Sequence, residues 1–218
     1  MSALRWGMVS ATLLSVAACM REPAGPTWDW DQEADQAEAK AFTERWSALN
    51  ARNDPPALLA RSTLALDALG HGLAYRVPGL SRESLAAQGF QDAQKAAAAL
   101  PADPRPQRLL AGYLSRSGDV AGAARAACSA ADLAPREAGD QEDCGDLLKQ
   151  AGDGAGAVQR YKAAILASAD RRQQFELIHH IEQTSLTPAA DLESLPKDLV
   201  DQYRAHQSPP PRAPQAAP

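Results

Sequence analysis

A Gly-Asp pair at 118–119 returns 34 residues later at 152–153, and no other feature restricts the folds open to this chain as strongly. The matches continue downstream, with Ala121/Ala155, Gly122/Gly156, Ala123/Ala157 and Ala130/Ala164 at equal offsets. Around each pair, small and apolar residues recur at helical spacing, so each copy reads as helix, tight turn, helix. The first copy spans 104–117 and 120–134, the second 136–151 and 154–168. Such a unit cannot bury its apolar face alone and must stack on a neighbour. Composition agrees: of 218 residues 45% are hydrophobic but only 5% aromatic, so helices have to approach closely through small side chains. No run of β-branched and aromatic residues alternates with polar ones as a half-buried strand would. The expected fold class is all-α.

The rest of the chain supplies further helices. Residues 33–51 carry Phe42, Trp46 and Leu49 on one stripe. Asp54-Pro55 offers an N-cap and a first-position proline, predicting a helix to Leu69 that Gly70-His71-Gly72 ends. Pro78-Gly79 marks a turn, Ser81 caps, and 82–100 reads as one helix or a helix pair. Asp103 caps the first repeat. Beyond it, Asp170 caps a helix reaching Thr184, Thr187-Pro188 opens another, and Pro196 divides that one. Residues 208–218 hold five prolines and read as an extended tail.

The two copies resemble tetratricopeptide repeats, whose pattern puts small or apolar residues at set positions of both helices, glycine at the turn and proline at the end. The first copy offers Leu110, Ala111, Leu114, Gly118, Ala123, Ala127, Ala130 and Pro135; the second offers Cys144, Gly145, Leu148, Gly152, Ala157, Tyr161 and Ala164. A weaker earlier unit uses Gly89, Phe90, Ala93 and Ala97. Residues 171–206 would be a degenerate later one, with His179 where a small residue belongs. The resemblance implies a TPR-like α-solenoid of stacked antiparallel hairpins with capping helices. It also implies a concave groove lined by the first helix of each unit. By offset that stripe takes Arg105, Arg108, Gly112, Ser115 and Arg116, then Glu142, Asp146 and Lys149, then Gln173, Glu176, His180 and Gln183. The expected groove is cationic at one end and mainly anionic beyond, suited to a protein segment of mixed charge.

The chain start is of another kind. Arg5 precedes a short apolar run, and Val16-Ala17-Ala18 leads into Cys19, the layout of an export signal whose apolar part is shorter than the roughly 20 residues a membrane span needs. Val-Ala-Ala-Cys resembles the lipobox of bacterial lipoproteins, which implies cleavage after 18 and acylation of Cys19. Acyl chains contribute about 0.8 kcal/mol per buried methylene. Met20 follows where enteric-type sorting uses Asp for inner-membrane retention, which points to the outer membrane with the protein facing the periplasm. The expected division is a signal at 1–18, a tether at 19–32 with Trp28 and Trp30, an N-terminal helical region at 33–103, two repeats at 104–168, capping helices at 169–207 and the tail at 208–218.

Two cysteines remain, Cys128 and Cys144, in a compartment where disulfides persist. One lies late in a helix and the other midway along the next antiparallel helix. A bridge is geometrically possible, and a pair of small buried thiols is the other reading. The net charge of −5 and the lack of a basic cluster argue against nucleic acid. No nucleophile elbow, phosphate loop or His-Glu-x-x-His occurs, so no cofactor or resident metal is expected. The best catalytic candidates, Glu176, His179 and His180, fall on two helix faces and offer a metal at most two ligands. The expected function is that of a non-enzymatic, lipid-anchored scaffold for a protein partner of the cell envelope. By resemblance, the candidates are repeat lipoproteins that assist secretin, pilus, secretion or motility machines, or that organise cell-wall enzymes. A metal-dependent hydrolase built on those three residues is the rival of another class.

Overall fold

The computed structural model describes residues 32–71, 73, 77 and 79–207. The export signal, Cys19, the tether with Trp28 and Trp30, and the tail at 208–218 lie outside the described residues. Among the described residues there are ten helices and no strand: α1 (Gln32–Asn50), α2 (Pro55–Gly70), α3 (Arg82–Ala99), α4 (Pro104–Ser117), α5 (Val120–Leu133), α6 (Ala138–Gln150), α7 (Gly154–Ala167), α8 (Arg171–Thr184), α9 (Pro188–Glu193) and α10 (Lys197–Gln207). The fold is all-α, and each helix packs mainly on its chain neighbours, as a solenoid requires.

Local chemistry sets the boundaries. Asp54, Asp103, Asp119, Asp153 and Asp170 each accept a backbone N–H from the first turn of the helix they open. Gly118 and Gly152 adopt φ of 85° and 88°, and the following aspartate N–H groups reach back to Leu114 O at 3.0 Å and Leu148 O at 2.9 Å. A residue with a Cβ would lose roughly 1–2 kcal/mol in that conformation. The glycine three residues after each aspartate has a different cause, because a Cβ on Gly122 or Gly156 would come 2.2 Å or 2.4 Å from the capping carboxylate. The repeated Gly-Asp-x-x-Gly is therefore one turn device: the first glycine ends a helix, the aspartate caps the next, and the second glycine makes room for that cap.

Residues 82–99 form a single helix rather than a pair. Helix α6 starts at Ala138, two residues later than the pattern suggests, because the Glu137 N–H bonds Ala134 O at 3.0 Å and closes a turn over Pro135-Arg136 first.

Packing builds α2–α3, α4–α5 and α6–α7 as hairpins, with α3 on α4, α5 on α6 and α7 on α8. The α2–α3 hairpin adds a unit to the row. Its Gly89, Ala93 and Ala96 stand 34 residues before Ala123, Ala127 and Ala130, and all are buried. Glycines let tyrosines close the seams: a Cβ on Gly89 would lie 2.0 Å from the Tyr113 hydroxyl, and one on Gly145 would lie 2.6 Å from the Tyr161 ring. Three apolar clusters result. The N-terminal one holds Phe42, Trp46, Leu58, Leu85 and Tyr113, and the C-terminal one holds Tyr161, Ile165, Leu177, Ile178 and Leu199. Between them the core is mainly alanine, with Ala111, Ala127 and Ala131 around Cys144. This thinnest region carries the covalent link, since Cys128 of α5 and Cys144 of α6 are bridged with Cα atoms 4.7 Å apart. Helices α9 and α10 close the C-terminal end on α8, placing Leu192, Leu199 and Tyr203 over its apolar side.

One buried ion pair sits inside the first hairpin. Arg61 of α2 donates to both carboxylate oxygens of Asp92 on α3, at 2.6 and 2.8 Å, with side chains 5% and 2% exposed. Its remaining nitrogen donates to Leu49 O and Arg52 O, fastening the end of α1.

Candidate partner-binding face

Helices α2, α4, α6 and α8 are the first members of successive units, and two clefts open between them. The cleft between α2 and α4 encloses about 550 Å³ and is largely apolar, lined by Leu59, Leu66, Leu100 and Leu109 with Arg105 and Arg108 at its edge. The cleft between α4 and α6 encloses about 260 Å³. Arg108, Ser115, Asp140, Asp143 and Asp146 form its walls, and Ala127 and Ala130 of α5 reach it from behind. Arg108 belongs to both, so the clefts meet there. At Gly112 helices α2 and α4 come close, since a Cβ placed there would strike Leu66 at 2.8 Å.

The cations expected at one end of the face are engaged within the fold. Arg105 folds back onto Asp103, its own helix cap, at 2.5–3.0 Å. Arg108 holds Asp140 of α6 through two bonds of 2.6 Å, with Asp140 nearly buried. Arg116 donates to Leu69 O at 2.7 Å, tying α4 to the end of α2. Ser115 is exposed at the cleft wall. Charge-assisted bonds raise the pKa of Arg105 and Arg108 through Asp103 and Asp140 respectively and lower that of Asp103 through Arg105.

Carboxylates dominate the α6 side. Glu142 accepts from Gln173 of α8 at 2.8 Å, and Asp146 accepts from the Tyr161 hydroxyl at 2.8 Å. Burial drives the Tyr161 pKa upward, and the Asp146 carboxylate adds to the shift. His180 is half-buried, stands edge-on to Tyr161 with centroids 5.4 Å apart, and turns Nδ1 toward Asp146 at 3.8 Å. Lys149 is exposed. Asp143 was not among the expected groove residues. The residue as a whole is exposed, but its carboxyl stands at the cleft wall, where burial first, and then Asp140, Glu142 and Asp146, raise its pKa. The signal was present as the acidic run 140–146, DQEDCGD, but offset mapping from the repeat selected Glu142 and Asp146 and skipped the residue between.

Glu176, His179 and His180 do not converge. Glu176 pairs with Arg172 at 2.9 Å along α8 instead of with His180. His179 contacts Gln183 at 2.8 Å and lies 3.9 Å from Glu182, while His180 faces Asp146 on α6. Among the described residues no group of three or more His, Cys, Asp or Glu side chains gathers as a metal site, and no helix is long and apolar enough to cross a membrane.

Fold and face together define the class, an all-α array of stacked helix hairpins with an acidic and apolar cleft face. Comparison with protein-family models finds no match to this chain, and comparison with curated protein sequences finds none.

Proposed function

We propose that this chain is an envelope lipoprotein of the tetratricopeptide-like kind. In this reading Cys19 anchors it to the outer membrane, and its α2–α4–α6–α8 face holds a segment of a protein partner in the periplasm without catalysing a reaction. The observation that carries the proposal is the pairing pattern on that face. Arg105, Arg108 and Arg116 are each engaged within the fold, by Asp103, Asp140 and Leu69 O, whereas burial and the carboxylates of Asp140, Glu142 and Asp146 act on Asp143 more strongly than Arg108, the cation that shares its cleft. A partner segment that brings Lys or Arg to the α4–α6 cleft relieves that repulsion, and apolar residues beside it fill the α2–α4 cleft. The bridged cysteines fit an oxidising compartment.

A photocrosslinking residue at Ser115 tests the proposal in cells. One dominant protein adduct, lost on Asp143→Lys, supports it; a smear of adducts unaffected by that change rejects a groove partner. Cys19→Ala tests the anchor separately, since it should release the protein from the outer-membrane fraction, and continued sedimentation there argues against acylation.

A further inference from the structure

The C-terminal end of the solenoid carries a second surface unlike the cleft face. Phe175 of α8 remains half-buried at the centre of an open pocket of about 760 Å³, between the stripe Arg172, Phe175, Glu176 and His179 and the last turns of α10. Tyr203 stands edge-on to Phe175 with centroids 5.6 Å apart, and His206 lies tilted over it at 5.7 Å. Tyr203 is buried and supports Phe175 from its edge, so the accessible platform is the Phe175 ring with the exposed His206 ring beside it. The pocket's polar side is largely self-satisfied, because Arg172 and Glu176 pair with each other and the Tyr203 hydroxyl donates to Glu182.

We infer that this aromatic platform is the docking site of the chain's own proline-rich segment 208–218. The segment begins at the pocket: Gln207, the last residue of α10, is itself part of the lining. Pro209, Pro210 and Pro211 follow at once and cannot extend α10, having no N–H to donate. A polyproline II strand rises about 3.1 Å per residue, so 11 residues reach about 34 Å, whereas the 14 residues of α8 measure about 21 Å. The tail is long enough to turn back and cross the platform. Aromatic faces are the usual partners of the pyrrolidine rings of a polyproline II segment, and that conformation gives up little entropy on docking. Arg212 is the segment's one charged side chain, so docking here is apolar and insensitive to salt, unlike capture of an acidic partner by the neighbouring Arg171 and Arg172.

The test compares the full chain with one stopped after Gln207. Docking predicts that truncation shifts the ring resonances of Phe175 and Tyr203 and speeds amide exchange across 197–207 by roughly two- to tenfold, the factor that one or two aromatic contacts represent. Replacing Pro209, Pro210 and Pro211 by Ala should reproduce the truncation, and 0.5 M salt should leave the effect intact. In a Phe175→Ala or His206→Ala background, truncation should add little. Identical ring shifts and exchange with and without the segment overturn the inference. So does a ring shift that appears only at high protein concentration, which would make the occupant a second copy.

Discussion

The buried pair Arg61–Asp92 offers the sharpest test of how the first unit is held. Asp92→Ala leaves a guanidinium that is 5% exposed without its carboxylate, keeping only the bonds to Leu49 O and Arg52 O. Removing one partner of a buried pair costs about 3–5 kcal/mol, because the surviving charge stays desolvated and uncompensated. For a chain of this size that corresponds to a melting temperature lower by roughly 6–20 °C. Asp92→Asn, which keeps an acceptor but not the charge, should fall between. The informative control is Arg61→Met with Asp92→Leu, which removes both charges and fills the space; two carbonyls then lose a donor, so it should lie about 1–2 kcal/mol below the parent. Urea unfolding followed by circular dichroism gives all four stabilities from the midpoints. If Asp92→Ala lies within 1 kcal/mol of the parent, or if the double variant is as unstable as the single, uncompensated charge is not what the pair prevents.

The remaining expectations concern the seams and the acid residues. Gly145→Ala drives a methyl to 2.6 Å from the Tyr161 ring and should cost about 1–3 kcal/mol in the same unfolding assay. Replacing Cys128 and Cys144 together by serine should remove about 3 kcal/mol, measured against the oxidised parent. Asp191 is held below the ordinary carboxylate value of 3.8, first by Lys162 and then by Ser185. Its contribution is therefore present above about pH 4 and disappears as the pH falls through the depressed folded value, and Asp191→Asn should flatten that part of the stability profile. Asp143 carries the opposite sign: its folded pKa is raised, so the ionised form opposes folding once the pH rises past the unfolded value. Asp143→Asn should stabilise the protein at pH 7, lose that advantage below about pH 4, and weaken partner capture in pull-downs.

These expectations differ in how far the sequence foretold them. Part of the cleft lining was legible, because a 34-residue offset and the i, i+3/i+4 rule select Arg105, Arg108, Gly112, Ser115 and Asp146, which line the two clefts, whereas Arg116, Glu142, Lys149, Glu176 and His180, expected beside them, line neither. Their partners were not. Glu176 and His180 share a helix face, yet one turns to Arg172 and the other to Asp146, since a half-exposed side chain takes the nearest strong partner whichever element supplies it.

Local sequence signals placed most helix boundaries and called for stacking, though not the later start of α6 or the unbroken course of α3. Aspartate caps, left-handed glycines and helix-opening prolines act on backbone groups within four residues, so α2, α4 and α8 through α10 could be read almost to the residue. Gly89, Phe90, Ala93 and Ala97 hinted at an earlier unit, but its connection lacks the Gly-Asp turn that marks the others, and it took the packing of α2 on α3 to establish that hairpin as part of the row. Only the tertiary structure decided that Arg61 meets Asp92, Arg108 meets Asp140, and Cys128 reaches Cys144. Those pairings join different helices, two of them more than 30 residues apart in sequence. How closely two helices cross depends on glycines and alanines all along the seam, and no local pattern carries that distance.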